Sequence, residues 1–90
     1  MEVKITNGAA VRFEVPQQIW EGCKDIQFSQ FAGHDMLAIT DDAGGFVLTY
    51  LGMTVVEPYE SMAAAKKAAP VFAANVLQRL TSMIEKNINE

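Results

Sequence analysis

The chain contains a single cysteine, Cys23, and a single histidine, His34. One thiol cannot cross-link within its own chain, so a disulfide scaffold is excluded and a reducing, cytoplasmic compartment is expected. No apolar run approaches the roughly eighteen residues of a membrane span. The start, Met1-Glu2-Val3-Lys4, lacks the basic and apolar regions of a signal peptide. Basic residues are scarce, seven Lys and Arg against eleven Asp and Glu, for a net charge of −4. Nucleic acids and anionic bilayers are bound largely by neutralising their phosphates, so neither is expected as a partner. No internal repeat or low-complexity stretch is visible.

What remains is the composition of a folding chain: 50% hydrophobic, 20% charged, ninety residues. That length predicts one domain over residues 1–90. The charge is uneven. Residues 1–60 hold nine acidic and three basic residues, a net of −6, whereas residues 61–90 hold two acidic and four basic, a net of +2.

Hydrophobic periodicity divides the chain in the same way. Val3-Lys4-Ile5 and Val11-Arg12-Phe13-Glu14-Val15 alternate around Asn7-Gly8, which predicts a hairpin. A three-residue loop, Thr6-Asn7-Gly8, pairs Val3 with Val11, Met1 with Phe13 and Glu2 with Arg12, and keeps the apolar set on one face. Pro16 to Gly22 breaks the alternation and predicts a short helix or tight turn that tucks Ile19 and Trp20 against the sheet. A three-stranded meander follows: Ile26 to Ser29, Met36 to Thr40 and Phe46 to Leu51, with turns at Ala32-Gly33 and Asp41 to Gly45. Loops of two and four residues set Ile26 opposite Ile39, Phe28 opposite Leu37, Ile39 opposite Phe46 and Leu37 opposite Leu48. The expected core face is then Ile26, Phe28, Leu37, Ile39, Phe46, Leu48 and Tyr50. The other face carries Met36, Ala38, Val47 and Leu51 among polar residues. Met53 to Val56 is a candidate short edge strand.

Ser61 is placed to cap a long helix whose apolar stripe runs through Ala69, Phe72, Ala73, Val76, Leu77, Leu80, Met83, Ile84 and Ile88, with Val71 on the outer side. Pro70 lies inside this pattern and costs about 3 kcal/mol in a helix interior. A straight helix from Ser61 to Ile88 is about 42 Å long, whereas a ninety-residue globule is about 31 Å across. Either the helix breaks near Pro70, or its end protrudes and packs on another chain. A kink also removes the conflict of Lys66 on the apolar side. The expected fold is α+β: an antiparallel sheet of about five strands, with a C-terminal helix kinked or broken near Pro70 on one face.

Chemistry-bearing residues do not converge. His34-Asp35 and Asp41-Asp42 lie at opposite ends of one expected strand, about 20 Å apart, so no metal site is expected. Asp41-Asp42-Ala43-Gly44-Gly45 has the residues of a turn and lacks the length and closing Glu of an EF-hand loop. Cys23 needs a base to act as a nucleophile, and with no motif joining it to His34 it reads as a small, partly buried structural residue. Ser61 is explained by its cap. Arg79 and Lys86 share a helix face that Lys66 and Lys67 do not extend. A three-stranded sheet backed by a helix resembles small DNA-binding domains, but this sheet is acidic where theirs are basic. The strand-to-helix run from Gly45 to Lys66 resembles a layout common in small bacterial proteins, which implies no activity.

No catalytic residue, cofactor or metal is therefore expected. Met36, Val47 and Leu51, on the sheet face away from the expected core, and Val71, on the outer side of the helix, are candidate interface residues. Trp20, Tyr50 and Tyr59 are candidates for a ligand groove. The leading expectation is a non-catalytic interaction protein acting as a homodimer, with a further protein partner allowed. One alternative is an acidic regulator or inhibitor of a nucleic-acid-binding enzyme, with Glu2, Glu14, Asp35, Asp41 and Asp42 in one negative patch. Another is a small ligand-binding protein with a pocket near Trp20.

Overall fold

The computed structural model describes Val3 and residues 16–88. The expected hairpin around Asn7-Gly8 lies outside the described residues, Val3 apart. One sheet holds five strands in chain order: β1 Glu21–Gly22, β2 Ile26–Phe31, β3 His34–Thr40, β4 Phe46–Tyr50 and β5 Met53–Thr54. Every neighbouring pair is antiparallel. Among the described residues there is one helix, α1 Met62–Ile88, which packs on β3 and β4. The α+β architecture and the central meander match the expectation from sequence. In the segment before β2 the turn alternative holds at Gln17-Gln18, and Glu21–Gly22 beyond it pairs with β2 as a strand, which was not expected. Gly22 has φ +135°, and a Cβ there would come within 2.3 Å of the Ile26 carbonyl oxygen, so no other residue fits this pairing.

Two connections are two-residue hairpins. Ala32-Gly33 joins the paired Phe31 and His34, and Leu51-Gly52 joins Tyr50 and Met53. Both central residues of each turn have positive φ, 51° and 80° in the first and 50° and 80° in the second. Type I′ turns require this, because their twist matches that of the strands. Ala32 holds the left-handed conformation at a cost of about 1–2 kcal/mol. Asn tolerates that region better, so Ala32→Asn is expected to stabilise the fold by about 1 kcal/mol, raising the melting temperature by about 5 °C. Thermal denaturation by circular dichroism checks this; an unchanged or lower melting temperature contradicts it.

The third connection changes the faces of the sheet. Between β2 and β3 the expected register holds, Ile26 opposite Ile39 and Phe28 opposite Leu37. Between β3 and β4 it moves by one residue, with Ile39 opposite Val47, Ala38 opposite Leu48 and Thr40 opposite Phe46. The cause lies in Asp41. Its Oδ1 accepts from the N–H of Ala43 at 2.9 Å and of Gly45 at 2.7 Å. Its own N–H donates to the Gly45 carbonyl at 2.8 Å. Gly45 is thereby held opposite Asp41, in line with Thr40 opposite Phe46. Side chains alternate with period two, so one extra loop residue turns β4 over relative to β3.

The covered face is therefore Ser29, Phe31, Met36, Ala38, Leu48 and Tyr50, all buried. Against them lie Ala65, Ala69, Ala73 and Val76 of α1. Three alanines let the helix sit close, and Met36, Leu48 and Tyr50 supply the volume. The expected core face is corrected in this respect. Ile26, Phe28, Leu37 and Ile39 are on the opposite side of the sheet, and Met36 is at the centre of the core.

Ser61 caps α1 as expected, its Oγ accepting from the Ala64 N–H at 3.0 Å. The helix then runs unbroken from Met62 to Ile88 with Pro70 inside it. Of the two alternatives left by the length argument, a break does not occur, and the end outruns the sheet. Twenty-seven residues make about 40 Å of helix. From Leu77 to Lys86 no residue is buried: Leu80 is half-buried and the others are exposed. Lys66 resolves its conflict without a break: its stem is half-buried and its ammonium donates to Gln27 Oε1 at 3.1 Å.

Candidate interaction surface

The residues singled out for chemistry remain apart. Cys23 follows β1 and is exposed, contrary to the partly buried position expected. Backbone N–H groups of Asp25 and Ile26 face its sulfur and lower the thiol pKa. His34 opens β3 opposite Phe31, at the far end of β2 from Ile26, about 17 Å along the strand. It cannot act as the base for Cys23. Asp35 and Asp41 are separated by the length of β3, about 20 Å. The carboxylate of Asp41 is engaged in its own loop, and that of Asp35 accepts from the Gln30 side-chain amide. These described carboxylates do not gather into one patch; Glu2 and Glu14 lie outside the described residues.

The aromatic candidates divide into two groups. Trp20 packs on Phe31 with ring centroids 5.9 Å apart, and Phe31 on Tyr50 at 6.4 Å, edge to face. Tyr50 is buried, donates its hydroxyl to the Phe31 carbonyl oxygen, and has its pKa raised by burial. Tyr59 pairs through its backbone with Phe46, at the other end of β4, about 13 Å away. All three pack on the one core cluster, Trp20 and Tyr50 towards one end of β4 and Tyr59 at the other, so the three do not line one groove. Ile19, expected to tuck against the sheet with Trp20, is exposed.

The interface candidates divide as well. Met36 is fully buried beneath α1 and is removed from that set. Its expected outward position followed from the register that Asp41 overrides. Val47 lies on the open face of the sheet, opposite Ile39. Leu51 occupies the β4–β5 turn, and Val71 is exposed on the outer side of α1.

The surface that emerges was not identified from sequence. On the open face, Ile26, Ile39 and Val47 form one cross-strand row. Glu21, Phe28, Leu37, Thr49 and Thr54 form the next. Ile26, Phe28, Leu37 and Ile39 are between 37 and 43% exposed and adjoin one another, unlike the scattered apolar residues of an ordinary surface. A second apolar surface lies on the far half of α1. There Leu77, Met83 and Ile84 continue the stripe that packs on the sheet, and Met83 and Ile84 are 55% and 62% exposed. The five-residue span from Asp41 to Gly45 was the signal for the first surface: an Asp four residues before a Gly binds both ends of a loop and fixes its parity. Among the described residues, no group of His, Cys, Asp and Glu is placed to hold a metal ion, and no helix is long and apolar enough to cross a membrane.

Compared with protein-family models, with curated proteins and with solved structures, the chain matches none.

Proposed function

We propose that this chain is a non-catalytic interaction protein that works as a homodimer in a reducing, cytoplasmic compartment. The observation that carries this reading is the pair of apolar surfaces exposed among the described residues, the open sheet face and the far half of α1. Contiguous apolar surface in water is a standing cost of about 25 cal/mol per Å², and association with a like chain is the commonest way it is relieved. An exposed lone thiol suits a reducing environment. Sedimentation velocity at about 100 µM, well above ordinary dimer dissociation constants, is expected to give a single species of twice the chain mass. A strict monomer there overturns the proposal.

A further inference from the structure

The two uncovered surfaces lie on opposite sides of the same sheet. Helix α1 crosses the face of Met36, Ala38, Leu48 and Tyr50, and its apolar stripe continues past that face. Ile26, Phe28, Leu37, Ile39 and Val47 look the other way. We infer that two copies exchange these surfaces: the far half of α1 in each protomer lies across the open sheet face of its partner. The inference rests on the homodimer reading and specifies its geometry.

Symmetry is the first argument. Consider a two-fold axis in the plane of the sheet, beside the sheet and perpendicular to the helix. Rotation about it turns the second copy over, so that the partner's open face points to the side on which the first copy's helix lies. The same rotation brings the partner's helix end under the first copy's open face. One operation covers all four exposed patches, and the interface closes without leaving a free surface to propagate. Pairing helix end with helix end, or open face with open face, would leave one patch of each protomer in water.

Dimensions agree. Residues 77–88 make about 18 Å of helix, and five paired strands span about 19 Å. A standard interface needs about 800 Å² from each partner. Shared between two patches this is about 400 Å² each, within the range of a single large apolar patch.

Charge points the same way. Residues 16–60 contain seven carboxylates and one lysine, a net of −6, and α1 contains four basic residues and one acidic, a net of +3. Glu21 and Asp35 stand on the open face by register. Arg79 and Lys86 lie on one flank of the exposed helix end, seven residues apart. Helix against helix would bring those cations together, and sheet against sheet would bring the carboxylates together. Helix end against sheet face joins opposite signs.

Complementation tests the exchange. Leu37→Asp disables the open face and Ile84→Glu disables the helix end. Each variant alone is expected to lose dimer affinity at least 100-fold in sedimentation, with the far-UV spectrum unchanged. Mixed, they are expected to recover a heterodimer, because the intact helix of the first meets the intact sheet face of the second. If Ile84→Glu alone remains dimeric, or if mixing restores nothing, the exchange is wrong even where the native chain is a dimer. Disulfide trapping supplies a second reading that tolerates no folding defect. In a Cys23→Ser background, a mixture of Leu37→Cys and Met83→Cys chains is expected to form the mixed disulfide in preference to either symmetric one. Predominance of Leu37→Cys pairs or of Met83→Cys pairs overturns the inference and retains the homodimer. A monomeric native chain, with the first fifteen residues of the same chain or a different protein as occupant of the open face, overturns both.

Discussion

Met36→Asp is expected to abolish folding at neutral pH, whereas Leu37→Asp, one residue further along the same strand, is expected to leave the protomer folded. Met36 is fully buried between Tyr50 and α1. A carboxylate there has neither water nor a cationic partner, a class of substitution that costs more than about 4 kcal/mol. Small domains have about 5–15 kcal/mol of total stability, and a ninety-residue chain sits towards the lower end. Leu37 is on the open face, facing Phe28 and Thr49 across the ladder. An Asp at a partly exposed strand position costs about 1 kcal/mol through propensity and lost contact. Far-UV circular dichroism with urea titration at low micromolar concentration, where a dimer contributes least to stability, reads both effects. The register between β3 and β4 is what is tested. With Ile39 opposite Phe46, Leu37 would be covered and Met36 open, and the two outcomes would be exchanged.

The same pair of residues shows where the sequence was legible. Alternation located β2, β3 and β4, and the hairpin turn Ala32-Gly33 gave the correct register between β2 and β3, because a two-residue loop has one parity. The Asp41 loop admits either parity. Counting apolar residues favours the one that collects Leu37, Ile39, Phe46 and Leu48 on a single face, since that minimises exposed hydrophobic area in an isolated chain. The structure takes the other, because the Asp41 carboxylate satisfies the N–H groups of Ala43 and Gly45. Gly45 also sits where a Cβ would lie 2.7 Å from Pro58 Cβ. A local hydrogen-bonded loop thus outweighs the tidier apolar partition, and the excess apolar surface appears on the open face.

The helix was legible in its cap, its stripe and its length, and the length argument left its continuity open. The exposed position of Pro70 in an unbroken helix makes a strong prediction about stability. Proline has no N–H to donate to the carbonyl of Lys66, and its ring crowds that carbonyl. Pro70→Ala restores the bond and replaces the poorest helix former by the best, so it is expected to stabilise the protomer by about 2–3 kcal/mol. For a domain of this size that raises the melting temperature by roughly 10 °C or more. Were residues 62–69 and 71–88 separate helices with Pro70 opening the second, the substitution would be neutral or destabilising, because proline at the first turn is favourable. A second readout separates stability from assembly. Prolines inside helices set bends, and Pro70 precedes the exposed Leu77, Met83 and Ile84, so a bend there sets where those side chains point. Pro70→Ala is therefore expected to raise protomer stability while weakening the dimer about tenfold, and sedimentation of the variant beside its melting curve checks the opposite signs. A substitution that tightens the fold and loosens the pair gives a reason for a proline at this position that the isolated helix does not.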